Sequence, residues 1–239
     1  MSYIDGFVVP VPADKKAAYR ELCATTAKLF KEYGATAVVE CWGDDVPDGK
    51  VTDFKRAVAA EGNENVVFSW IVWPDRAARD AGNAAVMVDP DLGGPGFVAP
   101  FDGIRMIYGG FDPLLGDALA APGVINGTVL PVPAAKRKEY TEAAVKMGEL
   151  FREYGATSVV DAWGDDLPEG KVNSFHTAVL RKPDEAVVFS WINWKDQAAH
   201  DAGWERVMAD PRMAAFNPAT VGADMGRMIY GTFTPLVVA

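Results

Sequence analysis

Tyr33–Val51 reads YGATAVVECWGDDVPDGKV, and Tyr154–Val172 reads YGATSVVDAWGDDLPEGKV. In both stretches a turn glycine precedes a β-branched run, a carboxylate and a tryptophan. A Gly-Asp-Asp turn, a proline, a glycine and a lysine follow. The spacing is constant, with 121 positions separating Gly6 from Gly127 and Trp42 from Trp163, so the second half of this 239-residue chain repeats the first. An internal repeat settles the domain count ahead of any argument from length. The Pro- and Gly-rich stretch Asp112–Gly123 joins the copies. That places one unit at residues 1–115, a linker at 116–122 and a second unit at 123–239.

Hydrophobic residues make up 49% and charged residues 23%, the balance of a folded globular chain. A net charge of -10, with no cluster of Lys and Arg against it, argues against nucleic acid as a partner. No apolar run is long enough to span a bilayer, and the start, MSYIDGFVVPVP, has no basic segment or cleavage site. The expected compartment is the cytoplasm, without a membrane partner. Cys23 and Cys41 align with Ala144 and Ala162, outside the repeated design, and are expected to be buried free thiols.

Around the repeated block each half reads as strand, helix, extended hairpin, helix, strand. Tyr3–Val11 is Val-rich and closed by Pro10 and Pro12, as a strand near an edge would be. Asp14 is expected to cap a helix whose apolar stripe is Tyr19, Leu22, Cys23, Thr26, Phe30 and Tyr33, ended by Gly34; in the copy Gly155 ends it. Ala35–Gly43 is the second strand. Val51–Ala59 also looks extended and is expected to continue it after an excursion at Asp44–Lys50, with a tight hairpin turn at Gly62–Asn63. Val66–Trp73, VVFSWIVW, is the strongest β-former. Asp75 and Asp196 cap second helices, in which Gly82 and Gly203 imply close approach to the sheet. Ile104–Phe111 is the last strand. This order is the split βαβ of ferredoxin-like domains, with helices on one sheet face only, so the other face must be covered. The expected fold is α+β: two four-stranded antiparallel sheets, face to face or edge-joined into a pseudo-dimeric α+β barrel around an internal pseudo-twofold. Such a chain is expected to be a monomer in solution.

The motifs GFVVPVP, ECWGDDVPDGKVTDF, VVFSWIVWP, RDAG and RMIYGGF, with GTVLPVP, DAWGDDLPEGKVNSF, VVFSWINW, HDAG and GRMIYGTF in the second half, resemble the small bacterial YbaA-like proteins. The resemblance spans nearly all of each half. It implies a ferredoxin-like unit of the dimeric α+β-barrel superfamily, here with the dimer fused into one chain, and it implies no established activity. The second half departs in having Asp161 for Glu40, His200 for Arg79 and a different loop before its last strand.

Strand parity puts Thr36, Val38, Glu40 and Trp42 on one face and Ala37, Val39 and Cys41 on the other. A carboxylate beside a tryptophan on a covered face would have its pKa raised, which makes Glu40 and Asp161 candidate acids or bases. Arg105, Arg227, Tyr108 and Tyr230 are their expected partners, the phenols as candidate proton donors. The competing reading makes the carboxylates interface ion pairs. Trp42, Trp163, Trp70 and Trp191, with Phe68, Phe189, Trp73 and Trp194, line an aromatic ligand pocket or form a core. Asp44, Asp45 and Asp48, with Asp165, Asp166 and Glu169, read as solvated turns, since the calcium-loop spacing is absent. His176 and His200 do not form a metal pair, and no metal or cofactor is expected. Gly93, Gly94 and Gly96 precede a strand and do not make a phosphate cradle. Two functions follow: a barrel that binds a small apolar or aromatic ligand or only assembles, and a cofactor-independent small-molecule enzyme, monooxygenase-like or isomerase-like.

Overall fold

The computed structural model describes residues 2–92, 98–119, 122–216 and 218–239; Gly93, Gly94 and Gly96 lie outside them. In the first half β1 (Tyr3–Pro12), α1 (Lys16–Glu32), β2 (Ala37–Asp45), α2 (Phe54–Ala57), β3 (Glu64–Trp73), α3 (Arg76–Val86) and β4 (Ile107–Leu115) follow one another. The second half repeats them as β5 (Val124–Pro133), α4 (Arg137–Glu153), β6 (Ala156–Asp166), α5 (Phe175–Ala178), β7 (Glu185–Trp194), α6 (Gln197–Ala209) and β8 (Ile229–Val238), adding α7 (Arg212–Phe216) before the last strand. The strands close one antiparallel barrel in the order β1, β3, β2, β8, β5, β7, β6, β4. The halves are edge-joined, β2 pairing with β8 and β4 with β6. Strand direction alternates around the ring, so β1 and β5, four steps apart, run the same way. The pseudo-twofold therefore lies along the barrel axis. Closure leaves no unpaired sheet edge, the usual liability of an open sheet.

Equivalent side chains stack on each other across that axis. Phe68 meets Phe189 at 4.4 Å and Trp70 meets Trp191 at 4.3 Å between ring centroids. Ile4, Val39, Cys41, Val66, Ile107, Phe111, Ile125, Val160, Ala162 and Phe233 fill the space around them. The barrel interior is thus a packed aromatic core, and the strand faces that alternate with it are covered by α1, α3, α4 and α6.

Three expectations fail for stated reasons. Val51–Ala59 does not extend β2: Phe54–Ala57 is a helical turn capped by Asp53, whose Oδ1 accepts from the Arg56 amide at 2.8 Å. Phe54, Ala57 and Val58 are buried, and the turn plugs one end of the barrel against its copy α5. The two plugs clasp reciprocally, Thr52 Oγ1 donating to the Ala178 carbonyl at 2.8 Å and Asn173 Nδ2 to the Ala57 carbonyl at 2.9 Å. Asn63 therefore starts no hairpin; Gly62–Asn63 turns from the plug into β3. Asp14 likewise caps nothing, because a 3-10 turn over Ala13–Lys15 leads into α1 without a side-chain cap. The buried stripe of α1 is Tyr19, Cys23, Ala27 and Leu29. Asp75 and Asp196 do cap α3 and α6 through Ala78 and Ala199. Gly34 and Gly155 adopt φ +102° and +105°, and a side chain at Gly82 or Gly203 would collide with the ring of Trp73 or Trp194. No helix among the described residues is long and apolar enough to cross a membrane.

Candidate functional site

Parity on β2 turns Val39 and Cys41 into the barrel and Glu40 and Trp42 outward beneath α1. There the Tyr19 hydroxyl donates to Glu40 Oε2 at 2.9 Å, and in the copy the Tyr140 hydroxyl donates to Asp161 Oδ1 at 2.7 Å. Ser69 and Ser190 stand directly across the ladder from the two carboxylates. Asp161 is buried and Glu40 partly so. Burial pushes both carboxyls above the usual range, although the tyrosine bond opposes it, and burial beside a carboxylate pushes both phenols well up. Each pair is a hydrogen-bonded contact between helix and sheet, lengthened by one methylene in the first half. Trp42 and Trp163 flank them, with Lys16 Nζ 4.8 Å from the Trp42 ring centroid and the Arg137 guanidinium 5.5 Å from that of Trp163. The thiol of Cys23, free and buried like Cys41, is pushed up by the same burial and by Glu40.

The expected partners of these carboxylates are elsewhere. Arg105 grips Glu64 with both nitrogens, at 2.6 and 2.7 Å, and holds Asp102. Arg227 grips Glu185 at 2.8 and 2.5 Å and holds Asp224. These forks lock the segment before the last strand onto the start of β3 or β7, and the guanidinium hydrogen bonds hold Glu64 and Glu185 below the usual carboxylate range. Tyr108 and Tyr230 are 47% and 54% exposed, outside the wall. Trp70 and Trp191 are inside it, on the face opposite to Trp42 and Trp163. The ten candidate residues thus fall into four kinds of place: two helix-covered carboxylate pairs with their tryptophans, two arginine forks, two surface phenols and one aromatic stack.

A network that the sequence reading missed joins the halves. Asp5 on β1, 1% exposed, accepts from Arg79 Nε at 2.7 Å, Trp73 Nε1 at 3.0 Å and Asn83 Nδ2 at 2.9 Å. Arg79 reaches on to Asp166 at 2.7 Å, while Asp165 takes the Tyr3 hydroxyl at 2.8 Å and Arg76 at 2.6 Å. Asp165 and Asp166 are therefore not merely solvated turn residues. In the copy Asn126 replaces Asp5 and His200 replaces Arg79; Asn126 Oδ1 accepts from Trp194 and Trp204 at 2.8 and 2.7 Å, and its Nδ2 lies 3.0 Å from His200 Nε2. His176 meets Glu169 at 2.8 Å. Among the described residues no three His, Cys, Asp or Glu side chains converge as metal ligands would. Open grooves follow the outer flanks of α1, past Lys16 and Arg20, and of α4, past Arg137 and Thr141.

The model of a family described as "Protein of unknown function (DUF1428)" matches residues 2–103 and again 124–223. The uncharacterized protein YbaA of Escherichia coli K12 is 62% identical over 115 residues, which is 48% of this chain and 98% of that protein, and YbaA of Shigella flexneri matches to the same extent. Among solved structures, a putative monooxygenase from Lactobacillus acidophilus superposes with a TM-score of 0.59 at 12% identity, over 100% of this chain and 95% of that one. An anthrone oxidase-like protein gives 0.55 at 12% identity, over 100% and 92%. At such identities the likeness is one of fold: a mixed α+β barrel of the dimeric, ferredoxin-like kind.

Proposed function

The chain belongs to this DUF1428 family, carrying its unit twice, and from that premise we propose that it is a non-catalytic module: an intrachain pseudo-dimer, monomeric in solution, that holds a small ligand or serves assembly. What carries the reading is that every buried carboxylate described above is closed by a group of the same chain. Glu40 and Asp161 are taken by tyrosines. Glu64, Glu185 and Asp5 are taken by arginines. The aromatic side chains that would have formed a pocket stack on one another instead. An acid or base at work must face its substrate, and these face their own partners.

A second reading is favoured by one observation. Burial raises the carboxyls of Glu40 and Asp161 above the ordinary range, the direction a general acid needs, and the fold is like that of proteins named monooxygenases. The test is a comparison in a bacterial metabolite extract, under air, of the purified chain with its Glu40→Gln/Asp161→Asn variant. The module reading predicts no time-dependent loss of any metabolite with either protein. A metabolite consumed by the wild type and spared by the variant would replace it with the enzyme reading.

A further inference from the structure

Ala37 and Val72 face each other across β2 and β3 as an apolar pair. The corresponding pair in the second half is Ser158 and Asn193, again in register. Both positions point into the barrel, where Asn193 is 0% exposed. Two neighbouring inward positions have thus become polar together, in one copy only. Ser158 Oγ donates to the Asp117 carbonyl at 3.0 Å, which ties the linker across this end of the barrel. The buried Ala118 beside it offers its carbonyl to Trp70 Nε1 at 3.4 Å. Trp191, the counterpart of Trp70, finds no such acceptor. Its Nε1 and both amide atoms of Asn193 have no hydrogen-bond partner among the described residues. Buried polar atoms are rarely left this way, because each loses its hydration and recovers nothing.

We propose that Asn193 and Trp191, beside Ser158 and beneath linker residues 116–119, form a binding site for one small neutral amide, a primary carboxamide or a lactam. The site offers N–H donors from Asn193 Nδ2 and Trp191 Nε1 and an acceptor at Asn193 Oδ1. A guest amide answers both: its carbonyl accepts from the two donors and its N–H donates to Oδ1. None of these inward side chains is charged, so a neutral guest fits where a carboxylate would be stranded. The first half cannot do the same, since Val72 and Ala37 offer nothing and Trp70 is already engaged. The site deepens the ligand-holding side of the non-catalytic reading and rests on it, and asymmetry of this kind is open to a fused pair of units but not to two identical ones.

The experiment is a titration of the full chain with acetamide, and separately with 2-pyrrolidinone, read on the tryptophan indole N–H resonances, with Trp191 assigned through Trp191→Phe. The expected result is a saturable shift of the Trp191 resonance larger than that of Trp70, lost in Asn193→Val, which restores the first half's residue. If Asn193→Val does not fold, Asn193→Ser, which cannot pair with both edges of an amide, must lose the response. A Trp191 proton that contacts water but ignores both amides would assign the pair to ordered solvent and overturn the proposal, as would a shift that survives either substitution. Metabolite turnover would refute the non-catalytic reading without touching this outcome.

Discussion

Replacing Arg79 with methionine would strand Asp5. Among the described residues the guanidinium supplies the only ion pair to a carboxylate that is 1% exposed, through a 2.7 Å contact with Oδ1; Trp73 and Asn83 would remain on Oδ2. Removing one partner of a buried ion pair costs about 3–5 kcal/mol. The Arg79–Asp166 contact, with Asp166 more exposed, adds about 1 kcal/mol or less. Together these are about 3–6 kcal/mol, and at about 2–4 °C per kcal/mol for a chain of this size Tm should fall by roughly 6–24 °C. In Asp5→Asn/Arg79→Met the stranded charge is gone, so the double variant should be more stable than Arg79→Met alone; Asn126 already stands at the matching place in the second half. The pH dependence has a definite sign. Burial outweighs Arg79 and holds the Asp5 carboxyl above its ordinary value, so the folded state binds that proton more tightly than the unfolded chain. Its contribution is most favourable below about pH 3.9 and declines as pH rises through the folded pKa. Without Arg79 the folded value rises further, so the deficit of Arg79→Met should widen with pH and narrow in acid. Urea unfolding of the wild type, both single variants and the double variant, at mildly acidic and mildly alkaline pH, measures all of this. A deficit under about 1 kcal/mol, or a double variant as unstable as the sum of the singles, would refute the reasoning.

Gly82→Ala should destabilise by about 1–3 kcal/mol in thermal unfolding, because the new methyl meets the Trp73 ring; a gain would mean that helix propensity prevails there. Glu185 is held below the ordinary range by Arg227, so its stabilisation is present above the unfolded carboxyl pKa and is lost as pH falls through the folded one. The Tm gap between wild type and Glu185→Gln should therefore close in acid, and a gap constant from neutral to acid pH would contradict the pairing. Sedimentation equilibrium should give the 25.7 kDa mass of one chain, since the barrel leaves no free sheet edge; twice that mass would contradict a self-contained pseudo-dimer.

Much of the architecture was legible because the repeat duplicates every signal. Asp75 and Asp196 mark the same helix start, and Gly82 and Gly203 the same close approach. The plug carries a misleading local signal. Val51 and Phe54 look like strand residues, yet Phe54, Ala57 and Val58 fall at spacings of three and four, and Asp53 and Ser174 are capping residues. The helical period was there but only one turn long, too short to outweigh β-propensity. The alternation on β2 was also legible, but not which face looks into the barrel, because closure is a long-range fact. From alternation alone Glu40 can equally face the interior, and Arg105 and Tyr108 then stand as its expected partners. A usable signal was present: Tyr19 and Glu40 recur as Tyr140 and Asp161 with the same separation of 21. Asp5, an acid within a Val-rich strand, was the corresponding signal for the network that joins the halves.

The central claim is that the buried carboxylates serve the fold, and equilibrium unfolding of Tyr19→Phe and Tyr140→Phe tests it most directly. Groups kept for function are typically held at a cost in stability, so removing them leaves a protein as stable or more so; groups kept for structure do the opposite. Each substitution deletes the hydroxyl that satisfies Glu40 or Asp161 and leaves a buried carboxyl short of a donor. The account predicts a loss of about 1–3 kcal/mol for each variant. Unchanged or increased stability in both would contradict it.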